Sequence, residues 1–158
     1  MEKKYKALAL DLDGTLMDSN KKLSDVNKKA VWEAIDVGTA VILASGRPMF
    51  GVLPVARMLE LDKRGGYVLA YNGGNILDCK TGKLVYERYV PKQCIEDICI
   101  AARECDVAPL TYYKDKVISE RADDEYVIKE AFCNSASIMQ VDNIPEFVDY
   151  PVSKVLVV

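Results

Sequence analysis

The 158-residue chain is half hydrophobic and 28% charged, with a formal net charge of −3, the make-up of a soluble globular protein with a core of its own. It has no long basic stretch and no apolar run near the roughly 20 residues that cross a bilayer, so neither nucleic acid nor a membrane is an expected partner. It has no histidine, and its five cysteines form no Cys-x-x-Cys pair, which excludes Ser–His and Cys–His nucleophilic pairs and histidine-ligated zinc and points to reduced thiols in a cytoplasm.

Lys3, Lys4 and Lys6 form a short basic cluster that reads as a solvated terminus. The N-terminus then runs directly into a buried strand over residues 6–11, leaving no room for a signal peptide. That strand ends in Asp11-Leu12-Asp13-Gly14-Thr15-Leu16. In extended backbone, positions i and i+2 point to one side, so Asp11 and Asp13 project together from a strand end. Open α/β sheets place their ligands at such ends. One carboxylate can attack an electrophile or hold a metal while the other moves a proton. Gly14 permits a tight turn, and Thr15 offers a hydroxyl and an N–H to an anion.

Ser24 is a candidate N-cap for a helix over about 25–36, with Val26, Ala30, Val31, Ala34 and Ile35 on one face and Gly38 at its C-terminal cap. Residues 39–44 form a continuous apolar run, the pattern of a parallel strand buried on both sides. Ser45-Gly46-Arg47-Pro48 breaks it, and a helix follows to about Leu61. Pro54 predicts a kink or a late start in that helix. A third strand, 67–70, ends at Asn72-Gly73-Gly74. This order predicts right-handed crossovers and a parallel sheet. Residues 75–78 and 83–86 then form a hairpin with Gly82 in its turn.

Beyond residue 90 the texture changes. A helix over about 92–105 carries Ile95, Ile98, Cys99 and Ala102 on one face. A hairpin spans 110–113 and 117–119. Asp123-Asp124-Glu125 places acid at a helix start, as the dipole favours. Strands follow at 137–141 and 154–158. The boundary falls near 86–91.

Three polar turns gathered at one sheet edge describe an anion pocket. Ser45 reads as a phosphoryl ligand or as a helix cap, and Gly46 adds an N–H at a helix N-terminus. Arg47 offers a planar fork to phosphate or, equally, to a salt bridge. Asn72 and Gly73 serve the pocket or simply turn the chain.

The segment Asp11-Leu12-Asp13-Gly14-Thr15-Leu16 resembles the first motif of the haloacid dehalogenase superfamily, and Ser45 resembles its second. Ala44-Ser45-Gly46-Arg47-Pro48 together with Asn72-Gly73-Gly74 is similar to the Cof-type branch, which carries a large α/β cap. The resemblance implies an α/β fold: a partial Rossmann-like core over 1–88, with parallel strands one to three plus a hairpin, and an incomplete α+β cap over 89–158. It implies a Mg2+-dependent phosphatase of small phosphorylated metabolites, sugar phosphates being the expected class. Asp11 would be the nucleophile and a metal ligand. Asp13 would be the acid–base and a metal ligand through its carbonyl. Thr15, Ser45, Gly46, Arg47, Asn72 and Gly73 would bind the phosphoryl group or substrate.

The family also uses a later lysine and an acidic pair. Lys154 reads as structural, and Asp123-Asp124 as a helix start. The chain is therefore expected to be an N-terminal fragment. Its first strand would be left with an unpaired apolar edge that invites self-association. The alternative is a catalytically inactive module that keeps the half-core for binding or interaction.

Overall fold

In the computed structural model, which describes residues 5–158, the apolar run ahead of Asp11 forms β1 (Ala7–Asp11). Lys3 and Lys4 of the basic cluster lie outside the described residues. β1 pairs in parallel with β2 (Ala40–Ala44), and β2 in parallel with β3 (Tyr67–Ala70). β4 (Asn75–Asp78) and β5 (Lys83–Glu87) continue the sheet antiparallel, in the order β1-β2-β3-β4-β5. The chain divides into two compact units, Met1–Glu87 and Arg88–Val158. No helix of the described residues is long and apolar enough to cross a membrane.

In the first unit, α1 (Asp25–Asp36) starts where Ser24 Oγ accepts the N–H of Asn27 at 3.1 Å and stops before Gly38, whose φ is +84°. Those two residues supply the side-chain acceptor and the left-handed turn that helix ends require. α2 (Met49–Met58) begins directly after Pro48 and runs on through Pro54, so the proline does not mark a late start. The helix stops short of Leu61 because Glu60 adopts a left-handed conformation (φ +56°), and a short α3 (Leu61–Arg64) follows. Trp32 clips these pieces together. Its indole N–H donates to Leu59 O at 2.8 Å, and its ring carries Lys28 at 4.6 Å and Arg64 at 4.5 Å.

Val41, Leu43, Val68 and Ala70 meet Val31, Val52, Val55 and Leu59 in one core. Both crossover helices thus serve one face of the sheet, as successive right-handed crossovers in one direction require. The other face, with Ala40, Ile42 and Ala44, is exposed or half-covered, so β2 is not sealed on both sides. β1 corrects the expectation of a buried strand more strongly. Among the described residues it pairs only with β2, and Ala7, Ala9 and Asp11 are exposed. A hollow of about 390 Å³ opens along this edge, lined by Ala7, Leu8, Ala9, Ala34 and Val37.

In the second unit, α4 (Lys92–Glu104) buries Ile95, Cys99 and Ala102. A four-stranded sheet runs β8-β7-β6-β9, made of β6 (Pro109–Tyr113), β7 (Lys116–Ser119), β8 (Ser137–Gln140) and β9 (Leu156–Val157). α5 (Glu125–Cys133) joins β7 to β8, which are parallel. Its cap is Asp124, whose carboxylate accepts the N–H groups of Tyr126 and Val127, the helix-start role read for this acidic pair. A helix that the sequence did not announce, α6 (Ile144–Phe147), packs Ile144 against Ile95 and Cys99. The last strand is shorter than expected, and Lys154 precedes it, its carbonyl accepting the Thr111 hydroxyl at 2.9 Å.

Candidate active site

The site is built on three strand ends that lie side by side. Register places Asp11 opposite Ala44, and Ala44 opposite Leu69. Leu12 is fully buried between two exposed carboxylates, so the period of two that places Asp11 and Asp13 on one side holds at the strand end. The chain then coils tightly. Leu16 N donates to Asp11 O at 3.1 Å, Met17 N to Leu12 O at 2.9 Å, and Gly14 N to Met17 O at 3.1 Å. Gly14 has φ +75° and nothing within 4 Å of where a Cβ would stand, so conformation and not space selects glycine here.

The second and third ends are stitched together by backbone. Ser45 N donates to Leu69 O at 2.9 Å, Asn72 N to Ser45 O at 3.2 Å, and Tyr71 N to Arg47 O at 2.9 Å. Ser45 is nearly buried, and its hydroxyl accepts the Arg47 N–H at 3.2 Å. Tyr71, Asn72 and Gly73 all have positive φ, at 53°, 55° and 94°. Two non-glycine residues in the left-handed region cost about 1–2 kcal/mol each. The hydrogen bonds to Ser45 and Arg47 hold them there. Burial pushes the Tyr71 hydroxyl above its ordinary pKa, partly opposed by a hydrogen bond with the Met49 backbone.

Arg47 closes the arrangement. Its guanidinium binds Asp13 bidentately, Nε to Oδ2 at 2.9 Å and a terminal nitrogen to Oδ1 at 2.6 Å. Of the two readings of Arg47, the structure therefore displays an ion pair, with Asp13. A second cation, Lys21, donates to the same Oδ1 at 2.6 Å. Burial raises the Asp13 carboxyl, but Arg47 and Lys21 outweigh it and hold the group below the usual carboxylate range. No described side chain donates a hydrogen bond to Asp11. The two acids therefore differ sharply: one is clamped by two cations and the other is presented bare.

Of the sequence-predicted residues, Asp11 lies in register with Ala44, Asp13 is bound by Arg47, and Ser45 is linked by hydrogen bonds to Arg47 and Asn72. Thr15 is exposed on the loop after Gly14, Gly46 lies between Ser45 and Arg47, and Gly73 completes the left-handed run. Lys21 was not foreseen. It lies eight residues beyond Asp13 on a loop that no spacing rule connects to the strand end. The only local signal is Asp18, whose carboxylate accepts the N–H groups of Asn20 and Lys22 at 2.9 Å each.

Among the described residues, no group of three histidine, cysteine, aspartate or glutamate side chains could hold a metal ion. The site does offer hard oxygen donors, the Asp11 carboxylate and the Asp13 carbonyl, the type that magnesium takes.

Comparison with known proteins bears on the same residues. A family model described as haloacid dehalogenase-like hydrolase matches residues 8–158. A Streptococcus pyogenes protein provisionally named a phosphatase is 40% identical over 78 residues, 49% of this chain and 29% of the relative. A Bacillus subtilis 5-amino-6-(5-phospho-D-ribitylamino)uracil phosphatase is 36% identical over 73 residues, 46% of this chain and 28% of that protein. The crystal structure of a haloacid dehalogenase-like hydrolase from Bacteroides thetaiotaomicron superposes with a TM-score of 0.88 at 36% identity, covering 98% of this chain and 58% of that one. The chain thus spans less than a third of these curated relatives and under two thirds of the solved structure.

Proposed function

The chain belongs to the haloacid dehalogenase-like hydrolase family, and from that premise we propose that it carries the nucleophile-bearing part of a Mg2+-dependent phosphatase acting on small phosphate monoesters, sugar phosphates first among them. The observation that carries this reading is the unequal treatment of two neighbouring carboxylates. Enzymes that divide labour between two acids give them different surroundings. Asp13 is held by Arg47 and Lys21, whereas Asp11 receives no described side-chain donor.

In the first half-reaction an Asp11 oxygen attacks phosphorus in line. The P–O bond to the leaving group breaks, an aspartyl-phosphate forms, and Asp13 gives a proton to the departing oxygen. In the second half Asp13 takes a proton from water, the resulting hydroxide attacks phosphorus, and Asp11 is released as a carboxylate with inorganic phosphate. The Arg47 fork favours the ionised form of Asp13 that takes the proton from water in the second half, and that step regenerates the protonated form from which the first half starts. The Ser45 and Thr15 hydroxyls, the Gly46 N–H and the Asn72-Gly73 turn orient the phosphoryl oxygens. A magnesium ion held by Asp11 and the Asp13 carbonyl would offset repulsion between a carboxylate and a phosphate dianion.

In this reading, residues 1–88 are the core of a Cof-type enzyme and residues 89–158 belong to its cap. The setting is cytoplasmic, in keeping with five free cysteines. The exposed edge of β1 also pairs with a second copy, since an unpaired strand beside an apolar hollow is a template for association.

Turnover of p-nitrophenyl phosphate with Mg2+ tests the proposal, comparing this chain with one lengthened to the size of its relatives. The lengthened chain should hydrolyse the ester and lose that activity on Asp11→Asn. Activity that survives Asp11→Asn would refute the mechanism, and its absence from both parents would favour a binding module.

A further inference from the structure

We propose that Lys21 is a substrate-contacting residue of this site, the cation that leaves Asp13 for an oxygen of the incoming phosphoryl group. The inference rests on the phosphoryl-transfer reading and adds a residue to it.

The two cations on Asp13 are not equivalent. Arg47 is mostly buried, at 12% exposed, and its fork spans both carboxylate oxygens. It alone fixes the plane of the group. Lys21 is 45% exposed and makes one contact, to an oxygen that Arg47 already serves. Withdrawing Lys21 leaves the Asp13 geometry in place, and a half-exposed ion pair is weak and readily exchanged. A lysine ammonium is also a compact point charge on a flexible stem, suited to moving between acceptors, whereas the arginine fork is suited to staying. One carboxylate and two cations leave a surplus positive charge beside Asp11.

The backbone fixes where Lys21 stands. Lys21 has φ +61°, a strained value for a non-glycine residue. Neighbouring hydrogen bonds impose it. Asp18 N donates to Lys22 O and Lys21 N to Asp18 O, both at 3.0 Å, while Asp18 caps Asn20 and Lys22. Bridges from Asp13 to Met17 and from Met17 to Leu23 tie this loop to the strand end. Such strain persists only where the surroundings over-determine it. Here it falls on the residue whose side chain returns to Asp13.

Calorimetry with tungstate, a tetrahedral oxyanion, tests the proposal on the chain as it stands. Lys21→Met should weaken tungstate binding about tenfold, the loss of one charge-assisted hydrogen bond. Lys21→Arg should recover most of it, and the melting temperature of Lys21→Met should stay within about two degrees of the parent. In a chain lengthened to full activity, the same variant should raise KM by a larger factor than it lowers kcat. Equal tungstate affinity in parent and Lys21→Met would overturn the assignment. So would a large fall in melting temperature with kcat lost and KM kept, which would make Lys21 a prop for Asp13. A parent chain that binds no tungstate, with or without Mg2+, would instead overturn the phosphoryl reading on which the assignment stands.

Discussion

The two units handle polar groups in opposite ways. In Arg88–Val158 the strands β6 and β7 are buried along most of their length, and their polar side chains are sealed inside. Thr111 donates to Lys154 O at 2.9 Å, and Ser119 donates to Pro109 O at 2.8 Å while accepting the Arg121 N–H at 3.1 Å. In the first unit the carboxylates of Asp11 and Asp13 stand exposed at a strand end, and Asp11 is left without a described side-chain partner. A buried polar group that is satisfied stabilises a unique packing. A carboxylate left bare at a strand end contributes little to packing and is free to react. The contrast lies between an exposed carboxylate with no described side-chain donor in the first unit and buried hydroxyls with partners in the second.

Substitutions in the two units should therefore fail differently. The largest effect is expected at Asp11. Asp11→Asn should cost at least about a thousandfold in phosphate-ester turnover in an active lengthened chain, since it removes the nucleophile. Its melting temperature should equal or exceed that of the parent. A marked loss of stability would erase the contrast between the units.

Ser119→Ala should do the reverse. It leaves the Arg121 N–H and the Pro109 carbonyl without their partner in a buried strand, which costs about 1–3 kcal/mol in denaturant unfolding. Tungstate affinity should not change. A loss of affinity without a loss of stability would show that the second unit is not the sealed one.

A smaller effect is expected from pH. Burial raises Glu120, but the Arg103 fork at 2.6 and 2.9 Å and the Ile144 N–H at 2.8 Å outweigh it and hold its carboxyl below the usual carboxylate range. A carboxylate with a depressed folded value stabilises fully above its unfolded pKa and loses that contribution as pH falls through the folded one. Unfolding measured from pH 6 down to about pH 3 should therefore show a decline that Arg103→Met reduces by about 1 kcal/mol or less, because Arg103 is partly exposed. An identical decline in both proteins would remove the ion pair from the account.

The smallest effect concerns the edge of the first unit. Ala9→Lys places a charge on the exposed side of β1 and should shift sedimentation toward the monomer without altering the fold. A parent chain that is monomeric at all concentrations would contradict the pairing of β1 with a second copy.

Much of this arrangement was legible in the residues. Ser24 and Gly38 bracket α1 because helix ends need an acceptor and a left-handed residue. Asp11 and Asp13 emerge together because a strand alternates. The exposure of β1 was not legible, since Ala7-Leu8-Ala9-Leu10 reads the same at the edge of a sheet as at its centre. α6 was missed because four residues cannot show a helical period, although Asn143 caps it and Pro145 occupies its first turn. The break at Glu60 had no glycine to announce it. Lys21 escaped because the loop around Asp18, and no sequence spacing, returns it to Asp13.

In the proposed mechanism Asp11 becomes covalently phosphorylated. The direct measurement is borohydride reduction of the chain, in its own and its lengthened form, after exposure to a phosphate ester and Mg2+, followed by peptide mass mapping. Turnover should be accompanied by conversion of residue 11 to homoserine, and Asp11→Asn should abolish the product. Turnover with the label on another residue, or with no reducible acyl phosphate, would contradict that mechanism.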